Sequence, residues 1–511
     1  MKAIILDGFS IDLEKYSKIV FEDMKIVIDK TSVKNIEKCR KVIEDIVDHS
    51  YVKYGINTGF GKFSNVVIDK KNTVTLQKNI ILSHAVGVGE PLSLEIAKGV
   101  MVLKLNSFLP GNSGVRLVVA ETLVQMINKN VIPYIPEKGS VGASGDLAPL
   151  AHMALVMTGQ GKAFYKGKLI SGKKAMQLAG IPALELQEKE GLAILNGTQV
   201  MTAIAAVGLI RIENILKCAD ISGAMSLEAL MGTISAFDLR VQSVRPHPGQ
   251  KKTAMNFLSL LRGSKIIESH KKCNKVQDAY SLRCIPQVHG AIKDTYAHVK
   301  TVVLTEMNSI TDNPLVFEKD QDVISGGNFH GEPIAFVMDF MSIALSELAS
   351  ISERRIEYML DPATNDGLPA FLVSKGGLNS GHMMTQVTAA SLVSENKVLS
   401  HPASVDSIPT SSNKEDHVSM GTHAARKMLT ILENTTNVIS IELLCAAQAL
   451  DYRDPSQSAK AIKSVYDTIR KSISFMKKDR LIHNDIVKLV KLVKEYKIVE
   501  AAEKVSKELF Y

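Results

Sequence analysis

Residues 198–231 read TQVMTAIAAVGLIRIENILKCADISGAMSLEALM, and this stretch decides the fold. Apolar side chains recur along it at helical spacing with no proline to interrupt them. An ordinary globular helix ends after roughly 8–20 residues, and this pattern runs longer. Similar patterns cover Ile334–Leu360, Met383–Ser400 and Ala424–Gln448. Helices of this length bury their apolar stripes against one another, so the expected fold is mainly α, a long antiparallel helix bundle.

Composition agrees. The 511 residues leave room for roughly two to four domains or one large helical one. A hydrophobic content of 45% supports a sizeable core, while aromatics are 5% and Trp is absent. The five cysteines, Cys39, Cys218, Cys273, Cys284 and Cys445, are scattered without CxxC spacing, which fits a reduced cytoplasm and no disulfide framework. The N-terminus turns acidic early and has no cleavable-signal layout. The apolar run Val200–Ile210 is too short to span a bilayer before it meets Arg211, Glu213, Lys217 and Asp220. No membrane partner is expected. Net charge is +8, and the C-terminal lysines from Lys471 to Lys497 interleave with Ile486, Leu489, Val490 and Val493 as the wet face of a helix. No aromatic–basic platform accompanies them, so no nucleic-acid partner is expected.

Upstream of the long segments the pattern is finer. Residues 1 to about 30 read as a small strand-containing cap, followed by helices over Ser32–Ser50, Val74–His84 and Leu92–Ser107. Gly111–Gly114 is a turn placed to cap a helix running through Asn128. Pro133 and Pro136 end regular structure ahead of GSVGASGDLAPLAHMA, Gly139–Ala154. Inside it, Ala143-Ser144-Gly145 has two readings. It is a tight turn before a helix, or it is the precursor of an electrophile. Gly145 lacks a Cβ, so its nitrogen can reach the Ala143 carbonyl carbon. Bond closure with loss of water gives an imidazolone, and a second dehydration at Ser144 leaves an exocyclic methylidene. Enzymes otherwise import such an electrophile.

The loops settle which reading to expect. YGINTGFG, LSHAVGVGEPL, the Gly139–Ala154 stretch, LNGTQ, RPHPGQ, VQDAYSLRCIPQVHG, NSITDNPL, GGNFHGEP and EDHVSMG stand in the order found in the aromatic amino acid ammonia-lyases. The chain resembles that family from about Tyr54 to Gly421, and through its helical pattern nearly to the C-terminus. The resemblance implies a methylidene-imidazolone formed from Ala143, Ser144 and Gly145 with no external cofactor. It implies a smaller N-terminal α+β domain carrying the electrophile, residues 1–195, and a long-helix bundle with a C-terminal helical region, residues 196–511. It also implies a homotetramer whose active sites draw residues from three subunits.

Deamination needs a leaving group and a base. The electrophile activates the amine, and a base takes the weakly acidic β-proton. By resemblance Tyr54 is that base, which requires a phenol of lowered pKa. Arg283 clamps the substrate carboxylate through a guanidinium fork. Tyr280 and Gln277 lie three and six positions before it, on an edge directed at the same site, and by resemblance Tyr280 is a catalytic residue that assists around the electrophile. Asn196 hydrogen-bonds the electrophile ring or the substrate, and Phe329 packs against the ring system. His84 matches members acting on histidine or tyrosine, and Glu415 matches a carboxylate of the histidine-type members. A carboxylate accepts an imidazole N–H and favours its cation, so together they point to L-histidine.

Lys414 stands where the family commonly has Gln, and His382 where Phe is usual. The lysine would hold Glu415 ionised or divert it into an ion pair, and the histidine would make a pocket more polar. Alternatives remain at this stage: a tyrosine or phenylalanine lyase, an aminomutase, or a catalytically silent helical scaffold. The GSxxMPxKxN loop of fumarase-like lyases is absent, as are HExxH and a spaced partner set around Asp416-His417, so no metal site is expected.

Overall fold

The computed structural model describes residues 3–49, 51–271 and 275–511. Ser50, the end of one expected helix, and Cys273 lie outside them. The fold is mainly α. Long helices run Gln199–Ala229, Ile285–Met307, Glu332–Leu360 and Gly421–Asp451, and a shorter one runs Met383–Leu399. The expected segments are found within a turn of their predicted ends. Ile285–Met307 was not expected, because polar residues dilute its apolar stripe. Two of these, His289 and Lys293, are buried.

Some helix starts follow local chemistry. The helix Lys30–Asp48 begins where Asp29 accepts the N–H groups of Thr31 and Ser32. Leu94–Phe108 begins after Ser93, which accepts from Ile96 N at 3.4 Å. Gly111–Gly114 does not cap the next helix, which runs Leu117–Asn128. The Arg116 N–H goes instead to the buried Glu190 carboxylate at 3.1 Å, which also takes the Arg116 guanidinium at 2.8 Å. A partner 74 positions away cannot be read from local spacing.

The chain divides into two compact units, both discontinuous in sequence: 1–207, 300–339 and 402–426, then 208–299, 340–401 and 427–511. The boundary expected at 195/196 falls inside the first. Among the described residues, that first unit holds every strand, arranged in four small sheets. Ile4–Leu6 pairs in parallel with Ile26–Ile28, with the helix Leu13–Phe21 between them. Pro133 and Pro136 do not end regular structure, since they sit in the short strands Ile132–Pro133 and Pro136–Lys138. Pro136 pairs with Pro91, which places it at the margin of a two-stranded sheet, where a missing N–H is tolerated. The core helix Leu94–Phe108 is buried continuously from Ile96 onward.

In the second unit the helices close on buried charge. Arg355 and Glu442, both fully buried, pair through Nε–Oε1 at 2.5 Å and Nη2–Oε2 at 2.9 Å. Ser222, Ser226 and Ser352 donate to the same carboxylate. Burial alone would raise the Glu442 carboxyl, yet the Arg355 charge and these hydroxyls hold it below its ordinary value. Asp220 similarly accepts from His289, Lys293 and Asn256. The apolar run Val200–Ile210 belongs to the helix Gln199–Ala229. That helix is long and apolar enough to cross a membrane, and 83% of its apolar window is buried inside the protein. Glu332–Leu360 passes the same test, with 67% buried. The cysteines Cys39, Cys218, Cys284 and Cys445 are free.

Replacing Arg355 with Met strands a buried carboxylate. We expect the R355M variant to lose about 3–5 kcal/mol of unfolding free energy, measured by urea denaturation, and E442Q/R355M to recover part of it.

Candidate active site

The tripeptide lies in the loop between Pro136–Lys138 and the helix Leu147–Met157. Gly142 and Gly145 take φ values of +68° and +69°, conformations open to glycine. At Gly145 the constraint is also steric, because an added Cβ would stand 2.1 Å from the Gly197 carbonyl oxygen. Gly145 and Gly197 form a parallel bridge, and Asp146 N donates to Gly197 O at 2.8 Å. The Asp146 carboxylate, fully buried, locks the loop from behind. Oδ2 accepts from Val200 N and Met201 N at 3.0 and 2.9 Å, at the N-terminus of the helix Gln199–Ala229. Oδ1 accepts from Ser140 Oγ at 2.9 Å and from Thr422 Oγ1. Burial still pushes this carboxyl above its ordinary value, against those hydrogen bonds.

Two further loops are tied to the front of this turn. Ser419 Oγ donates to Gly142 O at 2.8 Å, and Met420 N donates to Val141 O at 2.8 Å. Gly331 N reaches Gly142 O at 3.4 Å. The His330 and His417 rings stack 5.9 Å apart, joining the loop of Phe329 to the loop of Glu415.

Ser144 Oγ donates to Glu415 Oε1 at 2.6 Å. Thr410 and Ser411 donate to Oε2, each at 2.7 Å. Burial tends to raise the Glu415 carboxyl, but these three hydroxyls and the nearby His84 hold it below the usual carboxylate range. His84 ends the helix Thr73–His84, with Nδ1 3.0 Å from Ser83 Oγ. Burial pushes its imidazole down, while Ile80 O and the Glu415 charge pull it back up. Tyr54 lies half-buried in its glycine-punctuated loop. Burial and the Glu415 charge raise its phenol, opposed by the Gly61 backbone. That direction is the reverse of what a resting base needs. Lys414 is exposed, and among the described residues no ion pair joins it to Glu415. Hydroxyl groups, not an ammonium, surround the carboxylate.

Asn196 is buried at the end of the helix Glu190–Leu195. Its Nδ2 donates to Asn313 O at 3.0 Å, and its Oδ1 is buried without a partner. Phe329 is half-buried. Gln277, Tyr280 and Arg283 belong to the second unit. Gln277 is exposed, and Tyr280 and Arg283 bound the four-residue helix Tyr280–Arg283. The guanidinium lies 4.8 Å from the centre of the Tyr280 ring, and its Nε is buried without a partner. His382, also in the second unit, is 2% exposed, with Nδ1 3.3 Å from Thr385 Oγ1.

Residues 11–471 match the aromatic amino acid lyase family. The chain belongs to that family. A histidine ammonia-lyase of Alkaliphilus metalliredigens is 53% identical over 99% of both chains. The crystal structure of histidine ammonia-lyase from Trypanosoma cruzi superposes with a TM-score of 0.92 at 40% identity, covering 99% of this chain and 96% of the other. A tyrosine aminomutase from Streptomyces globisporus superposes with a TM-score of 0.95 at 34% identity, covering all of both chains.

Within this fold the tripeptide sits in a tightly constrained turn. Gly145 has no side chain to obstruct its nitrogen, and the backbone on both sides is pinned. Four supports escaped sequence reasoning. Ser419 lies within EDHVSMG and Asp146 follows the tripeptide directly, so motif membership marked the place without showing the contact. Thr410 and Ser411 carried no signal, because serine and threonine are ordinary loop residues.

The His382 imidazole is pushed down to about 4 by burial and by the Arg470 and Arg480 charges, from an ordinary value of 6.5. The unfolded chain therefore takes up a proton first as pH falls. We expect the His382 contribution to stability to be full above pH 6.5 and to be lost progressively toward about pH 4. H382F should flatten that stretch in a pH series of urea midpoints.

Proposed function

We propose that the protein is a histidine ammonia-lyase, converting L-histidine into trans-urocanate and ammonia. The observation that carries this reading is the Glu415 carboxylate on the Ser144 hydroxyl at 2.6 Å, with His84 within its field. A carboxylate there accepts the N–H of an imidazole, which a phenyl ring does not possess. The names of the relatives support the same substrate.

A methylidene-imidazolone formed from Ala143, Ser144 and Gly145, with no external cofactor, supplies the electrophile that makes the amine a leaving group. The chain's own residues do the rest. Arg283, with its unpartnered Nε, binds the substrate carboxylate, and Gln277 and Tyr280 line the same edge. Glu415 and His84 orient the imidazole. Asn196 offers its free Oδ1 to the electrophile ring or the substrate, and Phe329 packs against the ring. Tyr54 takes the β-proton. Because its phenol is raised in the ligand-free chain, positive charge arriving with the substrate has to lower it before transfer.

A homotetramer with shared sites brings Gln277, Tyr280 and Arg283 of a neighbouring copy to the tripeptide. The helix Met383–Leu399 supports such assembly, since Met384, Val387 and Val398 remain exposed on it. The four described cysteines, free and mostly buried, suit a cytoplasmic setting.

A substrate panel tests the reading. We expect L-histidine to give the rising absorbance of urocanate and L-tyrosine or L-phenylalanine to give little product. Product from tyrosine with none from histidine would overturn it. S144A should fold and lose nearly all turnover, and Y54F should lower kcat by roughly 10²–10⁴-fold.

A further inference from the structure

Lys104 is a cation inside an apolar helix. It is fully buried in Leu94–Phe108, and its ammonium stands 5.4 Å from the centre of the Phe108 ring. Nζ donates to Asn196 O at 2.6 Å and to Ala193 O at 3.0 Å. Both carbonyls belong to the C-terminal turn of Glu190–Leu195, where helix carbonyls lack intrahelical partners and the helix dipole favours a positive charge. Among the described residues no carboxylate pairs directly with Lys104. The acid whose charge bears most on it, Asp312, is taken by Lys189 at 2.7 Å. A buried ammonium without a counterion at contact distance is costly, and burial pushes this one down to about 7, so the two carbonyls are what it serves.

We propose that Lys104 is a positioning residue for the tripeptide and for Asn196. The path is short and continuous. Lys104 fixes the Asn196 carbonyl, and Asn196 leads directly into Gly197. The Gly197 carbonyl accepts from Asp146 N, and its backbone bridges to Gly145. By fixing the Asn196 backbone, Lys104 acts alongside the Nδ2 bond to Asn313 O that holds the side chain and leaves Oδ1 without a partner. Without the ammonium, the turn 193–197 has two buried carbonyls to satisfy and moves to satisfy them, which carries Gly145 away from the geometry needed for ring closure. Lys104 touches neither the substrate nor the reacting atoms.

The inference rests on the tripeptide being an electrophile precursor, and the test separates the two. The full-length protein is purified as wild type, as K104M and as K98M. Lys98 is the control. It lies on the same helix, 4% exposed, and is paired with Asp23 and Asn130, away from the turn 193–197. Each protein is measured by intact mass, by melting temperature, and by kcat per matured site. The wild type is expected to lack both waters of maturation. K104M is expected to retain them in a substantial fraction, with kcat per matured site lower by roughly 10²-fold and KM changed far less. K98M is expected to melt lower while maturing fully and turning over at the wild-type rate. Wild-type mass and kcat in K104M, with lowered stability alone, would overturn the proposal. A wild type that itself retains both waters would instead overturn the electrophile reading. If K104M does not fold, K104Q carries the test, since its amide keeps a donor but no charge. Intermediate maturation and kcat are then expected, and wild-type values in both would overturn the proposal.

Discussion

At Gly145 the backbone comes against Gly197 so closely that no side chain fits between them, and the site is arranged around that approach. An added Cβ would stand 2.1 Å from the Gly197 oxygen. The approach is held from two directions. Asp146 fastens the loop to the first turn of a long helix through two backbone N–H groups. The turn ending in Asn196 presents the Gly197 carbonyl from the other side. Such rigidity is what ring closure would require, since the Gly145 nitrogen and the Ala143 carbonyl carbon must stay near contact for a bond to form between them.

Buried charge is used in two ways. In the second unit, Arg355 with Glu442 and Lys293 with Asp220 neutralise each other and join helices. In the first unit, Asp146 and Lys104 are satisfied chiefly by backbone groups and hydroxyls, so they fix loops in place. Backbone-directed charges specify the position of a loop more tightly than an ion pair between flexible side chains does. The Glu415 carboxylate follows the same pattern at the front, held by Thr410 and Ser411 on one oxygen and directed at Ser144 with the other.

Much of this was legible in the sequence, for physical reasons that particular residues show. Long proline-free stripes such as Thr198–Met231 have a single stable reading, and the helix Gln199–Ala229 follows it. The helix Ile285–Met307 was hidden because His289 and Lys293 look like solvent residues and are buried against Asp220. The glycine-rich loops marked where the site lies, and the structure brings Ser144 and Glu415 together across 271 positions. The lowered phenol expected at Tyr54 is not found, because burial and the Glu415 charge, both set by tertiary structure, raise it instead. Asp146 and Ser419 were visible as motif letters, but their partners at Met201 and Gly142 are set by tertiary structure.

The central claim is that this pinned turn becomes the electrophile on which deamination depends. Electron density over residues 143–145 in crystals of the purified protein tests it most directly. The account predicts a closed five-membered ring with a planar exocyclic carbon at Ser144 and no hydroxyl facing Glu415. An open Ala143-Ser144-Gly145 backbone in enzyme that deaminates histidine would contradict it.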